Sequence, residues 1–108
     1  MNIKIIGSGN VGTHLYKVFV EKRISIYAIW SRTLAKAEAI NSDLATDNLD
    51  FSNSKSNIFI ITVKDDAIDS ILEKLIIPKG AILVHTSGSV EMNCLKTKSE
   101  NHGIFYPL

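Results

Sequence analysis

The chain has 108 residues, room for one domain and one core, since a domain of this size buries roughly two thirds of its unfolded surface. Apolar residues make up 45% and charged residues 21%, the composition of a folded globular protein and not of a disordered one. A net charge of +1 carries no mark of a nucleic-acid or acidic-membrane partner, and one cysteine, Cys94, excludes an internal disulfide framework and fits a reducing compartment.

No apolar run approaches the roughly 20 residues needed to cross a bilayer, so no membrane role is expected. The opening Met1-Asn2-Ile3-Lys4-Ile5-Ile6-Gly7 has no secretory pattern. The expected location is the cytoplasm. Asn2 to Ile6 reads as a buried strand that stops at Gly7. Val11 to Lys22 carries Val11, Leu15, Val18 and Phe19 at helical spacing. Ile24 to Trp30 is a second β-rich strand. Thr33 to Ile40 predicts a helix, with Thr33 as N-cap and Leu34, Ala37 and Ile40 on one face. Leu44 to Asn57 is polar and predicts a loop with at most a short edge strand at Leu44–Ala45–Thr46.

Ile58 to Val63 is the strongest strand, apolar without alternation and so covered on both faces, as in a parallel sheet between helices. Asp65 or Asp66 caps a helix that runs to about Leu75, with Ile68, Ile71, Leu72 and Leu75 as its stripe. Pro78-Lys79-Gly80 is a turn. Ala81 to His85 is a strand ending at Thr86-Ser87-Gly88-Ser89, Val90 to Leu95 a short weak helix, and Ile104 to Tyr106 a final strand before Pro107 and Leu108. This alternation predicts a Rossmann-like, doubly wound α/β domain over 1–108, its mainly parallel sheet having about six strands and helices on both faces.

The first strand ends in Gly7-Ser8-Gly9-Asn10-Val11-Gly12, a G-x-G-x-x-G pattern lying directly between a strand and a helix. In that setting the first glycine permits the tight turn, the second lets a pyrophosphate approach the backbone, and the third lets helix pack on strand. The helix N-terminus then offers free N–H groups and the positive end of its dipole. The competing reading is a ligand-free strand-to-helix turn. An NAD site usually places Asp or Glu about 20 residues further on, against the ribose 2′-hydroxyl. Here that place holds Ser31-Arg32-Thr33, a guanidinium flanked by hydroxyls and suited to a 2′-phosphate. NADP, with NADPH preferred over NADH, is the expected cofactor. The plainer alternative makes Arg32 a solvated loop charge and Thr33 only a cap.

These segments resemble a known family. The glycine turn, Ser31-Arg32-Thr33, Val63-Lys64-Asp65-Asp66-Ala67-Ile68, His85-Thr86-Ser87-Gly88-Ser89 and the closing Gly103-Ile104-Phe105-Tyr106-Pro107-Leu108 are together similar to one Rossmann domain. It is that of NADP-dependent oxidoreductases carrying a C-terminal domain of unknown function. These are relatives of pyrroline-5-carboxylate reductase and of the 6-phosphogluconate dehydrogenase-like superfamily. The resemblance implies that Gly7, Ser8, Gly9, Asn10, Val11 and Gly12 hold the pyrophosphate. It implies that Ser31, Arg32 and Thr33 surround the 2′-phosphate, that Val63, Lys64 and Asp65 flank the nicotinamide ribose, and that Thr86 and Ser87 lie near the nicotinamide. It also implies hydride transfer to or from a small carbonyl, imine or hydroxyl substrate. The family's C-terminal substrate and dimerisation domain does not follow Leu108 here. A cofactor domain unable to turn over alone is therefore expected, its small-molecule substrate bound by the longer protein. Surface left uncovered would favour a homodimer.

The catalytic residues stay unassigned. His85, near the end of a strand facing the presumed site, is the one acid–base candidate; the alternative is a packed histidine bonding a neighbouring backbone group. His14 and His102 have no ligand-like partners and read as surface residues, and Cys94 as a small buried side chain. No metal is expected, because no His/Cys/Asp/Glu cluster has ligand spacing. Asp65 and Asp66 read as a helix cap and a solvent- or ribose-facing carboxylate, Lys64 as a phosphate or ribose contact or a loop charge. Trp30 and Tyr27 fit core and adenine-side packing equally. Two rival functions stand beside the oxidoreductase. One is a non-catalytic nucleotide-binding sensor or interaction module. The other is a Rossmann-like fold for an S-adenosyl or coenzyme A ligand.

Overall fold

A computed structural model describes residues 2–55, 58–87, 95 and 101–104. The elements in order are β1 (Ile3–Ile6), α1 (Asn10–Glu21), β2 (Ile26–Trp30), α2 (Leu34–Asn41), β3 (Ala45–Thr46), β4 (Ile58–Ile61), a 3₁₀ turn (Asp65–Ala67), α3 (Ile68–Lys74), β5 (Ile82–His85) and β6 (Asn101–Ile104). The strands form one six-stranded sheet in the order β3-β2-β1-β4-β5-β6, every pairing parallel. This is the Rossmann-like fold expected.

Strands whose two faces are both apolar need cover on both. On one face Ile3, Ile5 and Ile60 pack with Leu15 and Phe19 of α1. α2 lies beside α1, the Asn41 amide donating to the Tyr16 hydroxyl at 2.9 Å. On the other face Ile6, Phe59, Ile61 and Leu83 pack with Ile68, Ile71 and Leu72 of α3 and with Leu75, the predicted stripe. Side chains of this size contribute about 1.5–3 kcal/mol each when fully buried. Order reverses at β1, with β2 on one side and β4 on the other, so the loops after β1 and β4 diverge and leave a crevice at the strands' carboxyl ends.

Several boundaries differ from expectation, each for a local reason. β2 starts at Ile26 and not Ile24, because the end of α1 runs on through a cap. There the Arg23 N–H donates to the Val20 carbonyl (3.1 Å) and the Ile24 N–H to the Phe19 carbonyl (2.8 Å), the two bonds of a Schellman motif. β4 ends at Ile61 and not Val63, since Thr62 turns beneath the glycine loop. Asp65 and Asp66 lie inside the 3₁₀ turn, and neither it nor α3 has a side-chain cap, which corrects the capping role. Nor does the Thr33 side chain bond at its N-cap position.

The polar segment after β3 is fastened, not loose. Leu49 and Phe51 are buried, and Asp50 bridges Ile76 with the Phe51 N–H donating to the Ile76 carbonyl (2.7 Å) and the Ile76 N–H to that of Leu49 (2.9 Å). The Phe51 ring leans on Phe59, with centroids 5.5 Å apart, and the Lys4 ammonium stands 5.0 Å from the Phe51 centroid. Burial there pushes Lys4 below the usual lysine range.

β6 covers Asn101–Ile104, three residues before the expected Ile104 to Tyr106. Polar Asn101 and half-buried His102 are tolerated at a sheet edge, and Asn101 Nδ2 anchors the start on the Gly80 carbonyl at 3.2 Å. His102 is thus in a strand and not in a polar loop. Gly88, Ser89, Cys94, most of the Val90 to Leu95 helix and the stretch 105–108 lie outside the described residues.

Arg23 is the one non-glycine residue with positive φ, 59°, among the described residues. The Schellman position favours glycine, because a Cβ there crowds the following carbonyl. Replacing it, Arg23→Gly, is expected to raise stability by about 0.5–1 kcal/mol, the left-handed cost less the entropy that glycine adds to the unfolded chain, read as a higher urea midpoint at unchanged slope.

Candidate functional site

The crevice is a cleft of about 640 Å³ walled by the loops after β1, β2, β4 and β5. Of the sequence-predicted residues, Gly7, Ser8, Gly9, Asn10, Val11, Ser31, Arg32, Thr33, Val63, Lys64, Asp65, Thr86 and Ser87 all line it, and Gly12 sits just behind.

Each of the three glycines answers to a different constraint. Gly7 has φ 138° and donates its N–H to the Trp30 carbonyl at 2.9 Å. A Cβ there would overlap Thr62 Oγ1 and come within 3.2 Å of the Thr62 and Val63 backbone. A Cβ on Gly12 would overlap the Gly7 carbonyl oxygen and lie 2.9 Å from Thr62 Oγ1. These two positions seat α1 on the sheet. Gly9 differs: a Cβ there would meet nothing within 4 Å. Its bareness serves the open space in front of it and not the packing behind it. α1 begins immediately after, with no side-chain cap among the described residues and no acidic residue in its first turn. Its first amides face the cleft with the dipole's positive end.

Thr62, which the sequence reading passed over as strand, is the shared floor. It is buried, its N–H donates to the Ile6 carbonyl (2.9 Å) and its hydroxyl donates to the same oxygen (3.3 Å). The hint in the sequence is a hydroxyl ending an otherwise apolar run. Ser31 is also buried, with its N–H on the Thr46 carbonyl (3.0 Å) and its hydroxyl 2.8 Å from that of Ser8. That pair ties the glycine loop to the end of β2. Arg32 and Thr33 are exposed at the rim.

Lys36, also missed, lines the same wall four residues after Arg32. A second basic residue in the first turn of the helix that opens at Leu34 is the signal that could have found it. Trp30 and Ile71 close the cleft from the core side. Trp30 belongs to the core cluster and also lines the cleft, while Tyr27 is 51% exposed and lines neither hollow. A second hollow of about 400 Å³ adjoins, sharing Trp30, Arg32 and Ile71.

On the far wall Thr86 donates its N–H (3.1 Å) and hydroxyl (3.4 Å) to the Ile61 carbonyl, while the Ser87 N–H donates to His85 Nδ1 at 3.1 Å. His85 itself is fully buried and does not line the cleft, and its ring accepts from a backbone N–H as in the packed alternative. Among the described residues no group of three or more His, Cys, Asp or Glu could hold a metal, and no helix is long and apolar enough to cross a membrane.

Residues 2–88 match the family described as NADP oxidoreductase, coenzyme F420-dependent. No curated protein matches the chain. Among solved structures it is similar to a protein assigned as an NADP oxidoreductase from Bacteroides fragilis, at 30% identity and TM-score 0.80 over 99% of this chain and 43% of that one. It is also similar to a prephenate dehydrogenase from A. aeolicus in complex with NAD+, at 14% identity and TM-score 0.78 over 100% of this chain and 42% of that one. An imine reductase from Bacillus cereus matches at 23% identity and TM-score 0.73, over 95% of this chain and 39% of that one. At such identities the last two show a common fold and nothing further. The chain spans less than half the length of each.

The glycine geometry separates two substitutions. Gly12→Ala must push backbone apart and is expected to cost about 1–3 kcal/mol of folding stability, read by urea denaturation. Gly9→Ala is expected to leave the urea midpoint nearly unchanged.

Proposed function

The chain belongs to the NADP oxidoreductase, coenzyme F420-dependent, family, and on that premise we propose that its cleft binds NADP(H) in preference to NAD(H), as the cofactor domain of a larger oxidoreductase. The observation that carries the preference is the pair of cations Arg32 and Lys36 on the wall beyond β2, where no carboxylate lines the cleft. A ribose 2′-hydroxyl needs an acceptor such as Asp or Glu; a 2′-phosphate needs donors and positive charge.

The remaining residues fit a dinucleotide laid across the crevice. Gly9, with open space before its Cα, and the first turn of α1, which has no side-chain cap among the described residues, suit a pyrophosphate. Arg32, Thr33 and Lys36 would hold the 2′-phosphate, with Ser31 acting from behind by fixing Ser8. Val63, Lys64 and Asp65 would flank the nicotinamide ribose, and Thr86 and Ser87 the nicotinamide. The nicotinamide, when bound, supplies or accepts the hydride. The chain's own residues bind and orient it.

Small carbonyl, imine or hydroxyl compounds are the substrate class this chemistry serves. The matched structures are more than twice as long, which supports reading the chain as one part of an enzyme whose substrate groups, and any pairing of subunits, lie in another part.

Isothermal titration of the chain tests the reading. NADPH is expected to bind at least about tenfold more tightly than NADH, since a hydrogen bond to a charged group contributes ~1.5–3 kcal/mol and 1.4 kcal/mol is tenfold. Arg32→Ala and Lys36→Ala should each weaken NADPH by about tenfold or more while changing NADH by less than about twofold. Equal affinity for the two cofactors removes the 2′-phosphate assignment, and binding of neither removes the cofactor reading.

A further inference from the structure

Beyond β5, Thr86 and Ser87 line the cleft wall, and three of the hydrogen bonds that hold them lie among the described residues. Two come from Thr86 and end on the Ile61 carbonyl of the neighbouring strand. The third, from the Ser87 N–H, ends on a side chain, His85 Nδ1, at 3.1 Å. It is the one of the three whose acceptor a substitution can remove.

We infer that His85 is a positioning residue for the cofactor: its sealed imidazole fixes the Ser87 amide and so sets the wall of the cleft nearest the nicotinamide. The inference rests on the cofactor reading for its ligand, and on geometry alone for the fixed amide.

The ring has no access to solvent. Because Nδ1 accepts, the ring proton sits on Nε2. Nε2 is itself buried and meets no hydrogen-bonding atom among the described residues. A buried donor left without a partner is costly. Leu83, two residues earlier on the same face, shows that an apolar side chain fills this layer without that cost. What the imidazole adds over leucine or phenylalanine is the acceptor at Nδ1. Thus His85 acts without touching the ligand.

Three variants separate this role from simple packing. His85→Phe keeps the volume and loses the acceptor. His85→Asn places Oδ1 where Nδ1 was, and His85→Gln places its oxygen at the Nε2 position. Two probes are titrated, NADPH and adenosine 2′,5′-bisphosphate, which has the adenosine end of the cofactor and no nicotinamide. Amide exchange of Ser87 is followed by NMR.

His85→Phe is expected to weaken NADPH by about three- to tenfold, the loss of one neutral hydrogen bond, while the bisphosphate changes by less than about twofold. Its Ser87 amide exchanges faster. His85→Asn restores both values and His85→Gln neither. Wild-type NADPH affinity in His85→Phe, or equal weakening of both probes, overturns the inference. Should His85→Phe not fold, the Asn and Gln variants decide, and identical behaviour of the two overturns it. If the wild-type chain binds neither probe, the cofactor reading fails, and unchanged Ser87 exchange between the Asn and Gln variants overturns the positioning role separately.

Discussion

The structure turns on one close approach. The first turn of α1 is pressed onto the sheet until Gly7, Gly12 and Thr62 touch, with no room for a Cβ at either glycine. From that contact α1 takes its tilt over β1, the loop between them takes its tight path, and the helix's first amides come to the mouth of the crevice. The threonine hydroxyl makes the contact stable by ending on the Ile6 carbonyl, so the polar atom at the junction is satisfied inside the core. Remove the closeness and the amides retreat from the cleft. The packing of the fold and the shape of the site are one constraint.

Charge is laid out around this seat with some economy. One wall presents Arg32 and Lys36, the floor presents backbone amides and the opposite lip presents Lys64, Asp65 and Asp66. A ligand carrying phosphate at one end and sugar hydroxyls at the other matches that gradient. The serine pair Ser8–Ser31 lies between, buried in part, and spends its hydroxyls on linking two loops. Two layers can be distinguished in the site: exposed groups that can meet a ligand, and buried ones such as Thr62, Ser31 and His85 that hold the exposed ones in place.

Most of the first layer was legible in the chain. Glycine spacing, the strand-to-helix setting and the basic residue after the second strand are local signals, and each maps to a residue on the cleft. The second layer was less legible because its members act through distant partners. Thr62 looks like the end of a strand until Gly12 is seen above it. Ser31 lines the cleft as a hydroxyl, but its link to Ser8 is seen only in the fold. Lys36 shows itself only when the first turn of α2 is seen beside the cleft. The fold was legible through its apolar runs, and its errors fall where burial stops directing the chain: the cap at Arg23, the 3₁₀ turn at Asp65–Ala67 and the polar edge strand β6. The segment with Leu49 and Phe51 is the expected loop after a short edge strand, but the burial of those two was not legible, since two apolar residues among many polar ones make too short a pattern to read.

The placement of β1 bears on the order of assembly. β1 is a central strand, and its partner on one side arrives only with β4: Thr62 meets the Ile6 carbonyl across 56 positions of chain. Contacts of that span are slow to form because the loop must close first. α1 and its cap can form early from neighbouring residues, yet the seat beneath it is missing until Thr62 has been synthesised. The glycine turn therefore acquires its shape only after β4 has been made, although its own residues lie ahead of every later strand.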